Sequence, residues 1–180
     1  MDTGLDTGLD TDTRHTLVDT VLGAVTVVVS DGAVVGVYFP HHWYLPPADT
    51  IGPRVEAEGD ALFEAVRTQL TEYLAGERTG FDLPTATHGN PLQEQVWAIL
   101  REIPYGATTT YGEIAERLGD RALAQAVGQA NGHNPLSIIV PCHRVVGKDG
   151  KLTGYAGGLD RKRFLLELEE PGPVKAARLF

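Results

Sequence analysis

Apolar residues change their spacing once along this chain, and that change confines the fold to two units of different kind. From Leu17 to Phe39 the pattern is that of strands. Residues 25–29 and 33–39 are rich in β-branched side chains, and Ser30-Asp31-Gly32 between them reads as a hairpin turn. Pro40, Pro46, Pro47 and Pro53 make residues 40–59 a loop. Over residues 60–74 the repeat becomes helical, with Leu62, Phe63, Val66, Leu70, Tyr73 and Leu74 at three- and four-residue steps. Residues 79–90, with Pro84, Gly89 and Asn90, read as a linker. Pro91 then opens a helix striped with Val96, Trp97 and Leu100, which ends before Pro104. The expected fold class is α+β, with a small antiparallel-sheet domain over residues 14–88 and a mostly helical domain over 89–172.

The ends lie outside both units. Residues 1–13 repeat a Thr-Gly-Leu-Asp unit, are acidic and have little to bury, so a disordered tail is expected there and a short tail over 173–180. The N-terminus lacks the basic start and apolar stretch of a secretory leader, and no run of about 18 apolar residues is present to span a membrane. One cysteine excludes an intramolecular disulfide and a zinc site built on several thiolates, which suits a reducing cytoplasm. His41 and His42 stand beside Trp43 without an evident third ligand, so no metal is expected. No phosphate loop or dinucleotide fingerprint appears, and no cofactor is expected.

The formal net charge of −9 is unevenly spread. Residues 1–90 hold 14 acidic and 4 basic side chains, whereas residues 91–180 hold 10 acidic and 11 basic ones. An anionic partner should therefore meet the second half. Arg144, Lys148 and Lys151 group there, as do Arg161, Lys162 and Arg163. Such groups also suit a solvated face.

Thr110-Tyr111-Gly112-Glu113 has capping-box spacing and opens a short helix with Ile114, Ala115 and Leu118 inward. Gly119-Asp120 makes a turn, and a second helix is expected over 121–131. One face of it carries Ala122, Ala126 and Ala130 with Leu123 and Val127. The other carries Arg121, Gln125 and Gln129, flanked by Ala124 and Gly128. This small, polar stripe fits a helix approaching a nucleic-acid groove, and equally an ordinary exposed helix.

Ile138-Ile139-Val140 reads as a short buried strand, ended by Pro141-Cys142-His143-Arg144. A thiol becomes a nucleophile when it loses its proton, and a neighbouring imidazole can take that proton, here through a bridging water. The imidazole needs an acceptor on its other nitrogen. Glu169 is the candidate, because Leu165, Leu168 and Glu169 share a face of the last helix and a carboxylate on an apolar face needs a partner.

The segment from Ile139 to Val146, with its Pro-Cys-His-Arg core, resembles the active-site signature of the O6-alkylguanine-DNA alkyltransferases. Asn134-Pro135, Tyr111 and Gly154-Tyr155-Ala156-Gly157-Gly158 match the same family at its spacings, strongly over 91–170 and more loosely over 15–88. The resemblance implies a ribonuclease H-like N-terminal domain and a winged-helix-like C-terminal one. It implies stoichiometric transfer of an alkyl group from O6-alkylguanine, with O4-alkylthymine also in range, in double-stranded DNA to Cys142 of a cytoplasmic monomer.

By the same resemblance His143 and Glu169 form the relay, and Asn134 braces the turn before the cysteine. Tyr111 presses on the phosphate beside the target nucleotide. Tyr155, Ala156, Gly157 and Gly158, with Val145, surround the base, the glycines allowing its close approach. Arg121, Ala124, Gln125 and Gly128 line the groove-facing helix, and Arg144 and Lys148 hold phosphates. Gln125 stands where the family usually carries arginine, which predicts weaker or slower repair with the chemistry intact. The alternative function is an alkyltransferase-like damage sensor that binds the lesion without transfer. Such relatives replace the cysteine.

Overall fold

The computed structural model describes residues 12–172. The tail expected over 173–180 lies outside the described residues, as does the N-terminal one apart from Asp12 and Thr13. Both of those are bonded, Asp12 to Arg14 and Thr13 to Ser30.

Strands β1 (Arg14–Thr20), β2 (Gly23–Ser30) and β3 (Ala33–Tyr38) form an antiparallel sheet in that order. The β2–β3 turn places Asp31 and Gly32 at φ 50° and 76°, the left-handed pair that matches the strand twist in a two-residue hairpin. Asp60 caps helix α1 (Ala61–Leu74) by accepting from the amides of Leu62 and Phe63, and its carboxylate also takes Arg14 Nε at 2.7 Å. Phe63, Val66, Leu70 and Tyr73 of α1 share one core with Val18, Val25, Val27 and Val37 of the sheet.

Helix α2 (Pro91–Glu102) begins with an Asn90–Gln93 capping box, and α3 (Tyr111–Arg117) with the expected Thr110–Glu113 box. The next helix does not run from 121 as expected. Asp120 caps a 3-10 turn at Arg121–Leu123, and α4 occupies Ala124–Gly132. That turn leaves Ala122 exposed instead of inward, while Val127 and Ala130 are buried. Trp97 Nε1 donates to the Ala130 carbonyl at 2.8 Å and ties α2 to the end of α4. Helix α5 (Leu159–Glu169) closes the described chain.

The strand expected at 138–140 is absent. Leu136 makes a single parallel bridge to Val37 of β3, fixed by Val37 N to Pro135 O (2.8 Å) and Ser137 N to Val37 O (3.3 Å). The chain then turns, with Ile138 at φ 71°. A β-branched residue there costs about 1–3 kcal/mol of backbone strain. Asn134 holds the turn, donating to Val140 O (2.8 Å) and accepting from Leu136 N (3.0 Å), and Pro141 has no amide with which to extend a ladder. The pairing resumes only as β5 (Val145–Val146), parallel to β4 (Thr109–Thr110). The sheet of the first half thus fixes the backbone that carries the cysteine in the second.

Candidate active site

Cys142 opens the 3-10 turn Cys142–Arg144 and is 4% exposed. Asn131, at the end of α4, donates to its carbonyl at 3.3 Å. Burial pushes the thiol above its ordinary value, while Asn134 and the Lys162 ammonium pull it down. The resting sulfur is therefore a thiol under polar neighbours. Tyr155 is buried beside it, and burial together with the nearness of Cys142 holds its phenol well above 10, hence neutral.

His143 is fully buried, and its Nε2 lies 2.7 Å from Glu169 Oε1. Burial, with Arg144 and Lys162 near, holds the imidazole well below its usual range, so it is neutral. Arg144 forks onto the same carboxylate, Nε to Oε2 at 2.8 Å and Nη2 to Oε1 at 3.1 Å, and its Nη1 donates to Ile103 O at 2.6 Å. Burial lowers Arg144 only to about 10, so it stays charged at neutral pH. Burial pushes Glu169 up to about 8, and the charged Arg144 fork opposes this and favours the carboxylate, since a lone buried guanidinium costs more. An ionised Glu169 can only accept, so Nε2 carries the imidazole proton and Nδ1 is left as an acceptor. Nδ1 is buried without a hydrogen bond from the described residues.

The expected phosphate contact of Arg144 is corrected here. Its donors turn inward to Glu169 and Ile103, and its guanidinium lies 5.7 Å from the Tyr105 ring centroid. Of the basic group at 161–163 only Arg163 is exposed to solvent, and the other two turn to the protein. Arg161 reaches Leu22 O (2.8 Å) and Gly157 O (2.8 Å) and stacks over Phe39, and Lys162 is buried. Lys162 Nζ donates to Thr153 O (2.8 Å) and Gly154 O (3.2 Å), 6.0 Å from the Tyr111 ring, and burial lowers it to about 8. Sequence reasoning missed this residue, although it stands three positions before Leu165 on the inward stripe that ends at Glu169.

A cavity of about 240 Å³ is lined by two neighbours of Cys142, Asn131 and Tyr155, while the cysteine itself is not part of its wall. It is smaller than the roughly 300–1,000 Å³ of drug-sized sites, so it suits a single ring system. Tyr111, whose hydroxyl donates to Thr153 O at 3.3 Å, forms one wall with Gly128 and Asn131. Thr153, Gly154, Tyr155 and Ala156 form another, and Trp43 of the proline-rich loop completes it.

Three expected pocket residues stand elsewhere. Val145 is buried in the β4–β5 pairing. Gly157 faces Phe39, where a Cβ would come within 2.4 Å of the ring, so its missing side chain lets the two domains pack closely. Gly158, at φ 92°, turns the chain into α5.

Of the outer stripe expected over 121–131, the part from residue 124 onward lies on α4 and Arg121 lies in the turn before it. Gln125 is exposed, and Ala124 and Gly128 are half-buried. Arg121 is exposed and pairs with Glu116 at 2.5 Å. Among the described residues no helix is long and apolar enough to cross a membrane.

The comparisons agree with this architecture. Residues 13–87 match the 6-O-methylguanine DNA methyltransferase ribonuclease-like domain, and residues 91–171 match the DNA-binding domain of the same name. A methylated-DNA–protein-cysteine methyltransferase of Mycolicibacterium paratuberculosis is 44% identical over 169 residues, spanning 93% of this chain and 98% of the relative. One from Methanosarcina acetivorans is 54% identical over 112 residues, 62% of this chain and 72% of that one. A crystal structure of Mycobacterium tuberculosis OGT in complex with DNA superposes with a TM-score of 0.78 at 42% identity, covering 87% of this chain and 92% of that one. With both domains matched in order and a relative aligned along nearly its whole length, the chain belongs to the 6-O-methylguanine DNA methyltransferase family.

Proposed function

We propose that this protein repairs duplex DNA by taking the alkyl group from the O6 atom of an O6-alkylguanine onto Cys142, as a cytoplasmic monomer that acts once. The observation that carries this reading is the setting of the lone thiol. Its neighbours Asn131 and Tyr155 line a ring-sized cavity, and it is followed by an imidazole whose Nε2 is held by Glu169 and whose Nδ1 is left as an acceptor.

The O6 substituent of a stacked base is out of reach, so the nucleotide must turn out of the helix, at a cost of a few kcal/mol that is lower for a badly paired base. Helix α4 suits the groove, with small Ala124 and Gly128 and with Gln125 to fill the space left behind. Arg121 and Lys148 supply charge for phosphates. Tyr111 crowds the adjacent phosphate and offers its phenol to the base. Tyr155 and Ala156 cover the base. The Cys142 proton passes through a water to His143 Nδ1, with Glu169 steadying the imidazole, while Lys162 favours the thiolate. A sulfur–carbon bond forms as the carbon–O6 bond breaks. The electron pair leaves on guanine, which takes a proton from the Tyr111 phenol. Asn134 keeps the cysteine turn in place throughout. The thioether has no neighbouring group to hydrolyse it, and the transfer balances without a cofactor.

Intact-mass analysis after incubation with an O6-methylguanine duplex tests this. The expected result is a gain of one methylene at Cys142, with one lesion consumed per chain. Binding without a mass change indicates a damage sensor, and repeated turnover a thiol hydrolase. Either result overturns the proposal.

A further inference from the structure

The loop between β3 and α1 belongs to the first half of the chain, yet it reaches the cavity lined by Asn131 and Tyr155. Trp43 N donates to Ala156 O at 3.1 Å, and the Trp43 ring lies 3.7 Å from where a Gly154 side chain would begin. Next to it Tyr44 stacks on His133, with ring centroids 3.7 Å apart and planes 20° from parallel. A side chain at Gly132 would start 3.5 Å from the Tyr44 ring, so the small residue lets the loop sit close to the end of α4. Pro40, Pro46 and Pro47 bracket the segment and restrict its backbone.

Trp43 is nevertheless 59% exposed. The core does not need it. The structure places a large aromatic ring, clamped through its own amide and its neighbour, at the edge of a cavity otherwise walled by Tyr111, Asn131 and Tyr155. An exposed ring held in this way offers a π face to whatever enters.

We propose that Trp43 is part of the lesion-binding site, the outer wall against which the extruded base and its O6 substituent pack, and that it helps set which substituents the site accepts. The proposal rests on the alkyl-transfer reading above. It makes the first domain a contributor to substrate binding as well as a support. Aromatic stacking of this kind is worth roughly five- to a hundredfold per base on removal of the ring.

Two measurements test it. The chain has two tryptophans, and Trp97 is buried, so collisional quenching by iodide reports on Trp43. In Cys142→Ser, which cannot be alkylated, adding an O6-methylguanine duplex should shield the quenchable emission, while the undamaged duplex should shield it less. Equal shielding by the two duplexes overturns the proposal.

The second measurement is the rate of Cys142 alkylation by the duplex and by free O6-benzylguanine. Trp43→Ala should slow both, by about tenfold or more for the free base, which has no phosphate contacts to hold it. Trp43→Phe should recover most of the loss. A Trp43→Ala protein that folds and reacts with both at the parental rate overturns the inference and leaves the function intact. If the parental protein is not alkylated, the functional reading itself fails.

Discussion

Tyr73, on the first helix, donates its hydroxyl to Glu169 Oε1, the same oxygen that holds His143 Nε2. The hydroxyl also accepts from Arg144 Nη2 at 3.3 Å. A side chain of the first domain therefore closes the hydrogen-bond ring around His143 and Glu169 of the second. Every member of the ring is buried, so each lost partner leaves another polar group unmatched.

Tyr73→Phe keeps the ring stack with Phe81 and removes only the oxygen. It should destabilise the fold by about 1–3 kcal/mol, the cost of a buried donor without its acceptor. Alkyl transfer should slow several-fold, because Glu169 gains freedom to move. Urea denaturation and single-turnover kinetics on the same preparation check both expectations. Unchanged stability with an unchanged rate would mean that the hydroxyl contributes nothing to the ring.

Arg144 was read from sequence as a phosphate contact, and the structure turns it inward. Arg144→Met should cost about 3–5 kcal/mol, since Glu169 would be left buried without its counter-ion. Arg144→Lys should recover only part of this, because an ammonium cannot fork onto both oxygens. The salt dependence of DNA affinity separates the two readings. For Arg144→Lys the slope of log affinity against log salt should match the parent, whereas for exposed Lys148→Ala it should shrink by about one. A reduced slope for Arg144→Lys would restore the phosphate role.

These residues show where the sequence was legible. The Thr110–Glu113 capping box, the Asp31-Gly32 turn and the Glu169 partnership with His143 follow from local chemistry or from helical spacing, and the structure reproduces them. The strand expected at 138–140 failed because three apolar β-branched residues also suit a buried turn once an asparagine side chain supplies the hydrogen bonds. Arg144, Lys162 and Arg161 were misread for one reason. Their partners are main-chain carbonyls and one carboxylate brought near by tertiary folding, and nothing in a basic side chain's neighbours reveals that. Tyr73 and Trp43 touch the site from the other domain. Helical periodicity marked Tyr73 as core, but only the docking of the two halves shows what its hydroxyl meets.

Acid should weaken the fold in a defined window. Burial holds His42 at about 4 and His143 well below its usual 6.5. In the unfolded chain both take a proton as pH falls through 6.5, while in the folded chain His42 does so only near 4. Between those values the unfolded state binds more protons, so stability is full above about pH 6.5 and declines toward 4. His42 alone should withdraw about 2 kcal/mol by pH 5, and His143 acts in the same direction. Urea midpoints at pH 7.5, 6 and 5 measure this, and His42→Phe should flatten the decline. A midpoint independent of pH over that range would show that both histidines take up protons in the folded chain as readily as in the unfolded one.

Gln125 offers a test of the proposal that α4 holds an opened duplex. It is exposed on α4, one turn from Gly128 and on the face that carries Arg121 and Gln129. A glutamine side chain can occupy the gap left by the extruded nucleotide and bond the orphaned base, but it brings no charge. Arginine at this place, the usual choice of the family, would add a charge-assisted hydrogen bond worth about 1.5–3 kcal/mol. Because residue 125 does not touch the relay, the gain should appear in the duplex and not in the reaction with a free base. Gln125→Arg should therefore win a competition with the parent for limiting O6-methylguanine duplex by tenfold or more, with a salt slope steeper by about one. The two proteins should react alike with free O6-benzylguanine. Equal partition of the duplex would mean that Arg121 or the groove itself already supplies what the arginine was expected to add.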